Sequence, residues 1–152
     1  MAIATSPAPK VTALRVRAVR VPMREPHQTA SGAVAESPLV LTDVVFDDGL
    51  VGHSVVFTYT PLALRPVAEL IRSIAALVQG EPLAPLEIEQ KLARRFRLLG
   101  TQGLVGMALA AIDMALWDAL ARSHRTSLAK LLGGSEKPFA AYGAVGYDGA
   151  LR

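Results

Sequence analysis

The sequence predicts an α+β fold: a three-stranded antiparallel meander, then a helical bundle, then one further strand that opens a second unit. Three observations carry this. Residues 39–46 and 50–57 read as two strands joined by Asp47-Asp48-Gly49, a strong hairpin signal. From residue 60 to residue 124 the apolar positions recur at helical spacing, punctuated by Gly80 and Gly100. After Lys137-Pro138, residues 139–147 return to a strand-like pattern.

Taken in order, residues 1–10 are small, polar and proline-rich and read as a disordered tail. Residues 11–21 read as a strand. Leu14, Val16 and Ala18 alternate with Arg15 and Arg17, then the apolar parity passes to Val19 and Val21. A parity switch inside one strand predicts a β-bulge near Ala18 or Val19. Residues 23–37 hold Pro26, Gly32 and few apolar side chains, and are too long for a tight hairpin. They read as a loop, and loops of that length in a small domain commonly serve function.

A three-stranded sheet must cover one face, and helices follow at once. Thr60-Pro61 has the chemistry of a helix start, and the pattern runs to Val78. Pro66 lies inside that run, so the helix either kinks or properly begins there. A second helix is expected over residues 85–99, with Ile88, Leu92, Phe96 and Leu99 on one face and Gly100 as its stop. A third, over residues 103–124, is apolar nearly all round, and a short piece over residues 127–132 ends at Gly133-Gly134. The domain reading is therefore a tail (1–10), an α+β domain (11–135) and the start of a second domain (136–152).

A length of 152 residues fits one domain, or one and a fragment of another. The absence of cysteine excludes disulfides and thiolate metal sites and fits a cytoplasmic location. The N-terminus lacks the basic and apolar blocks of a secretory signal. The most apolar run, residues 104–121, is interrupted by Asp113 and Asp118. An aspartate at the bilayer centre costs about 2.5–3.5 kcal/mol, so this reads as a buried helix and no membrane partner is expected. The net charge is +3. Its arginines fall on a strand (Arg15, Arg17, Arg20) and at a helix C-terminus (Arg94, Arg95, Arg97), where cations complement the dipole. Neither group has stacking aromatics interleaved, which argues against nucleic acid as a partner.

The usual catalytic signatures are absent: no phosphate-binding loop, dinucleotide fingerprint, zinc-protease motif or nucleophile elbow. His27, His53 and His124 have no ligand spacing. His53 is expected to be packed or hydrogen-bonded on a strand, and His124 to sit at a helix end. Asp113 and Asp118 are five residues apart, about 140° around a helix, so they do not share a site. Asp118 is placed to pair with Arg122, and Asp113 with an arginine or a backbone end elsewhere.

The stretch ALAAIDMALWDALARSHRTSLAKLLG, residues 108–133, resembles the N-terminal signature of the mandelate racemase and muconate lactonizing enzyme family, within the enolase superfamily. The Ala-Ile-Asp-x-Ala-Leu-x-Asp core, Arg122 and the Leu-x-x-Leu-Leu-Gly ending fall at the family's spacing. Residues 50–61 and 81–85 resemble the family as well, and the likeness covers residues 11–149. It implies the family's N-terminal capping domain followed by the first strand of a (β/α)-barrel, the truncated start of which would be residues 136–152.

In that family a lysine or histidine base on the barrel removes the proton α to a carboxylate, and Mg²⁺ stabilises the enediolate. The sequence carries neither the Lys-x-Lys base segment nor the metal carboxylates, so the resemblance assigns no catalytic residue, no metal ligand and no Mg²⁺ to this chain. The chain alone is expected to be inactive. The capping domain's own contribution is a lid over the barrel mouth, matching residues 23–36 and the turn at 57–60. The resemblance thus implies substrate contacts from His27, Ser31, Val34, Phe57 and Tyr59. Mandelate-specific members carry valines at the positions of His27 and Ser31. Polar residues there imply a hydroxylated substrate: a racemase or dehydratase of an acid sugar or 2-hydroxy acid, with a small-molecule carboxylate as partner. Faces that pack on a barrel would be bare, which leads to an expected homo-oligomer. The alternative is a free-standing, non-catalytic module that self-associates or binds a barrel partner.

Overall fold

Valines, leucines and threonines at alternate positions build the sheet. The structure, a computed structural model, describes residues 7–29 and 32–141. Strands β1 (Val11–Thr29), β2 (Gly32–Phe46) and β3 (Val51–Phe57) form an antiparallel sheet in the order β1-β2-β3. Along β2, Val40, Thr42, Val44 and Phe46 are buried while the residues between them are half-exposed. In β3, Gly52, Ser54 and Val56 continue that inner face. Thr42 Oγ1 is fully buried there with no hydrogen-bond partner.

The expected bulge at Ala18 or Val19 is not formed, since the β1–β2 register runs unbroken from Ala13↔Val45 to Pro22↔Glu36. The parity switch has another cause. Leu14 and Val16 pair with core-facing residues, whereas Val19 and Val21 lie opposite Leu39 and Ser37 on the outer face. There they join Leu39, Leu41, Val55 and Phe57 in a half-exposed apolar patch. The register shifts instead between Val11 and Ala13, and between Pro22 and His27.

The second shift overturns the reading of residues 23–37 as a loop. β1 and β2 run past the end of β3 as a two-stranded ribbon, in which His27↔Val34, Gln28↔Ala33 and Thr29↔Gly32 are paired. Pro22 and Pro26 do not prevent this because β1 is an edge strand, where a missing N–H interrupts nothing beyond it.

Both sheet edges are engaged by helical side chains. Arg72 Nη2 donates to the Val16 carbonyl at 2.9 Å, and the His53 N–H donates to Asp118 Oδ2 at 2.9 Å. The Asp-Asp-Gly turn forms as expected, with Gly49 at φ 86° and the Leu50 N–H bonded to Asp48 Oδ1.

Helix α1 (Pro61–Val78) is capped by Thr60, whose hydroxyl accepts from the Leu62 N–H at 3.3 Å. It begins at Pro61 and runs through Pro66, which forgoes only the bond to the Leu62 carbonyl. Ala63, Leu64, Val67, Ala68, Ile71, Ile74 and Val78 form its buried stripe. Helix α2 (Pro85–Arg95) is shorter than expected. It ends at Arg95, Arg97 lies beyond it, and Leu99 is exposed rather than part of the apolar face. Phe96 is its C-cap, and the Phe96 carbonyl accepts from the N–H groups of Leu99 and Gly100.

Helix α3 (Gly103–Ser123) has its C-cap at His124 and packs on β3, α1 and α2. Its burial is one-sided, through Ala108, Ala111, Ile112, Ala115, Leu116 and Ala119, whereas Leu104 and Met114 are exposed. Among the described helices, α3 alone is long and apolar enough to cross a membrane, yet its alanine stripe lies in the core of the fold. Helix α4 (Leu128–Leu131) is capped by the Ser127 hydroxyl.

The tail reading of residues 1–10 is corrected at its end. The Pro9 carbonyl accepts from the Leu83 N–H at 2.8 Å, and Lys10 bridges to Pro82. Residues 1–6 lie outside the described residues. Residues 139–141 form no strand, and residues 142–147 of that expected strand also lie outside them.

Candidate functional site

The β1–β2 ribbon and the segment that enters α1 enclose an open cleft of about 470 Å³, lined by Arg20, residues 32–36 and residues 59–61. Val34 and Tyr59 of the expected lid therefore face one space. Phe57 stands behind Tyr59, with the two rings edge-to-face at 5.8 Å and 61°. His27 is one rung away, opposite Val34, and is not among the lining residues. Ser31 lies outside the described residues.

The wall opposite the ribbon is unusual in its backbone. The Thr60 N–H donates to the Thr58 carbonyl at 2.7 Å, closing a γ-turn with Tyr59 at its centre. Tyr59 has φ 63°, a region that a bulky L-residue occupies only under constraint. Thr58 supplies the constraint. It is buried, its N–H donates to the Pro38 carbonyl at 3.0 Å, and its hydroxyl lies 3.2 Å from the carbonyls of Pro38 and Thr60. The result is a tyrosine ring that is 67% exposed yet fixed at its root.

Arg20 and Glu36 complete the cleft and were not singled out by sequence reasoning. Arg20 Nε bonds Glu36 Oε2 diagonally across the ribbon, which leaves the guanidinium Nη groups as donors. The signal that could have found them is the hairpin register itself, hidden once residues 23–37 are read as a loop. Arg20, Glu36, the Tyr59 hydroxyl and the ribbon backbone can hold and orient a hydroxylated ligand. Among the described residues, no group of three or more His, Asp or Glu could hold a metal ion.

The other titratable residues raised by the sequence lie away from this cleft. His53 Nδ1 is 2.8 Å from Asp43 Oδ1 on the outer sheet face, with Arg17 at 3.7 Å from the same carboxylate. Asp118 pairs with Arg122 at 2.7 Å as expected. Among the described residues Asp113 does not pair with an arginine. Burial raises its carboxyl above the ordinary range, the Trp117 side-chain hydrogen bond opposes that shift, and Glu89 adds to it.

Residues 11–133 match the family described as "Mandelate racemase / muconate lactonizing enzyme, N-terminal domain". The chain is 30% identical over 126 residues to D-galactarolactone cycloisomerase of Agrobacterium fabrum, covering 82% of this chain and 32% of that protein. It is 29% identical over 117 residues to arabinonate dehydratase of Saccharolobus solfataricus, covering 75% and 31%. Among solved structures it resembles an enolase from Bradyrhizobium complexed with magnesium and mandelic acid. That likeness has a TM-score of 0.84 and 43% identity, over 92% of this chain and 38% of that one. L-talarate dehydratase from Polaromonas, complexed with Mg and L-glucarate, gives a TM-score of 0.73 and 25% identity over 85% and 36%. The chain thus spans about a third of the length of the curated relatives it matches. It belongs to the mandelate racemase/muconate lactonizing enzyme family and has the fold of that family's N-terminal domain.

Proposed function

We propose that this chain is the substrate-lid portion of a mandelate racemase-like enzyme that removes the proton α to the carboxylate of an acid sugar or 2-hydroxy acid. The observation that carries the reading is the cleft between ribbon and γ-turn, where Val34, Tyr59, Arg20 and Glu36 meet. The proton abstraction itself is assigned to a barrel domain, and the chain alone is inactive. The described residues do not fit a metal site, so the Mg²⁺ named for relatives belongs with the barrel. Between the two substrate classes, polar His27 and Ser31 favour an acid sugar, as do the cycloisomerase and dehydratase relatives. The neighbour holding mandelic acid favours the aryl alternative. A cytoplasmic homo-oligomer taking a small carboxylate completes the proposal.

The test begins with the coding sequence downstream of the Arg152 codon. The protein it encodes is then assayed with Mg²⁺ in D₂O, following the α-proton of galactarate, arabinonate and mandelate by NMR. Proton exchange or loss in the acid sugars is expected. The double substitution His27→Val/Ser31→Val is expected to shift relative kcat/KM toward mandelate by tenfold or more, about 1.4 kcal/mol. Unchanged relative values would remove the lid role from these positions. A stop codon directly after Arg152 would remove the enzyme reading and leave a self-associating module.

A further inference from the structure

A second cleft, about 540 Å³, lies at the other end of α1 between its last turns and α2. Leu77 is about 24 Å along the helix axis from Pro61, which borders the candidate lid. The second cleft is lined by Leu77, Leu92 and Leu98 and by four cations, Lys91, Arg94, Arg95 and Arg97. Lys91 is neutralised by Glu81 at 2.5 Å. Arg94 meets only the uncharged Gln90 side chain, at 3.4 Å. The side chains of Arg95 and Arg97 have no hydrogen-bond or ion-pair partner among the described residues. The α2 carboxylates Glu87 and Glu89 are absent from the lining.

Compensation of the α2 dipole does not account for this cluster. It explains Arg94 and Arg95 in the last turn, but not Arg97 beyond it or the leucine floor. The carbonyls of Leu92, Arg94 and Phe96 already accept backbone N–H groups, so the guanidinium forks are not engaged at the helix end. Leu98 is 91% exposed at the rim, an apolar surface with nothing laid against it. Three planar cations around an apolar floor suit an anion that also carries an apolar body. The shape is concave, whereas a bilayer surface offers a broad plane.

The geometry points to a binding site in this cleft for a soluble organic anion, an aryl or alkyl phosphate or carboxylate, separate from the candidate substrate lid. Arg94, Arg95 and Arg97 hold the anionic group, and Leu77, Leu92 and Leu98 cover the apolar body. This site stands independently of the lid proposal, because it shares no residue with that cleft.

The test titrates the 152-residue chain with phenyl phosphate and with inorganic phosphate at low ionic strength, following backbone amides by NMR. Phenyl phosphate is expected to shift amides at residues 77 and 91–98 and to bind about tenfold more tightly than inorganic phosphate. Arg95→Gln/Arg97→Gln is expected to weaken both ligands about tenfold. Leu98→Ser is expected to weaken phenyl phosphate alone. All three positions are exposed, so the variants should keep the parent Tm. Equal affinity for both anions, shifts centred elsewhere, or indifference to the arginine substitutions would overturn the site. Capture by phosphatidylglycerol vesicles without phenyl phosphate binding would overturn the soluble ligand.

Discussion

Gly52 has no side chain because α3 leaves no room for one. A Cβ built there would lie 1.9 Å from the Ala115 carbonyl oxygen and 2.8 Å from Ala119 Cβ. Alanines on α3 and a glycine on β3 together let helix and strand lie in direct contact. Gly52→Ala is expected to push the helix off the strand and cost about 2–3 kcal/mol in urea unfolding. Asp113 makes a different prediction. Its carboxyl is raised by burial despite the Trp117 hydrogen bond, so the folded state holds the proton more tightly than the unfolded state. The associated stability is full below the ordinary value of 3.8 and is lost as pH rises through the folded-state value. Relative to Asp113→Asn, which keeps an acceptor for Trp117, the parent chain should therefore lose stability as pH rises from about 4 toward neutrality. Parallel stability curves for the two proteins would refute the assignment.

At the scale of elements, legibility followed backbone chemistry closely. The Asp-Asp-Gly turn, the Thr60 cap with Pro61 and the Ser127 cap form where the sequence placed them, because each uses local bonds alone. The ribbon was not legible. Pro22, Pro26 and a run of polar residues look like loop, and only the edge position of β1, a tertiary fact, makes them acceptable in a strand. The parity of Val19 and Val21 was read as a bulge for a related reason: one sequence does not say whether a sheet's second face is apolar. Of the cleft, Val34 and Tyr59 were reached through family resemblance, while Arg20 and Glu36 required the register. The γ-turn at Tyr59 separates function from stability. Tyr59→Gly removes a side chain from a left-handed position and should leave unfolding free energy within about 1 kcal/mol of the parent. If the proposed lid role holds, the same substitution in a barrel-completed enzyme lowers kcat/KM tenfold or more. A large loss of stability with unchanged kcat/KM would make the turn structural only.

The whole molecule leaves several large apolar side chains in solvent. Leu62, Leu86, Leu99, Leu132 and Phe139 are exposed, as are Val55 and Phe57 on the outer sheet face. Exposed patches of this kind promote association. Light scattering after size exclusion is expected to give a mass above that of one 16.1 kDa chain, rising with concentration. A single 16 kDa species at every concentration would favour a self-sufficient module. The two plugged sheet edges add a consequence in time. His53 is already made when Asp118, which closes its N–H, is still 65 residues from being synthesised. At about 5–20 residues per second that gap lasts roughly 3 to 13 s. Throughout those seconds the β3 edge of the nascent sheet stays open, and a chaperone holding the emerging chain would find its binding surface there.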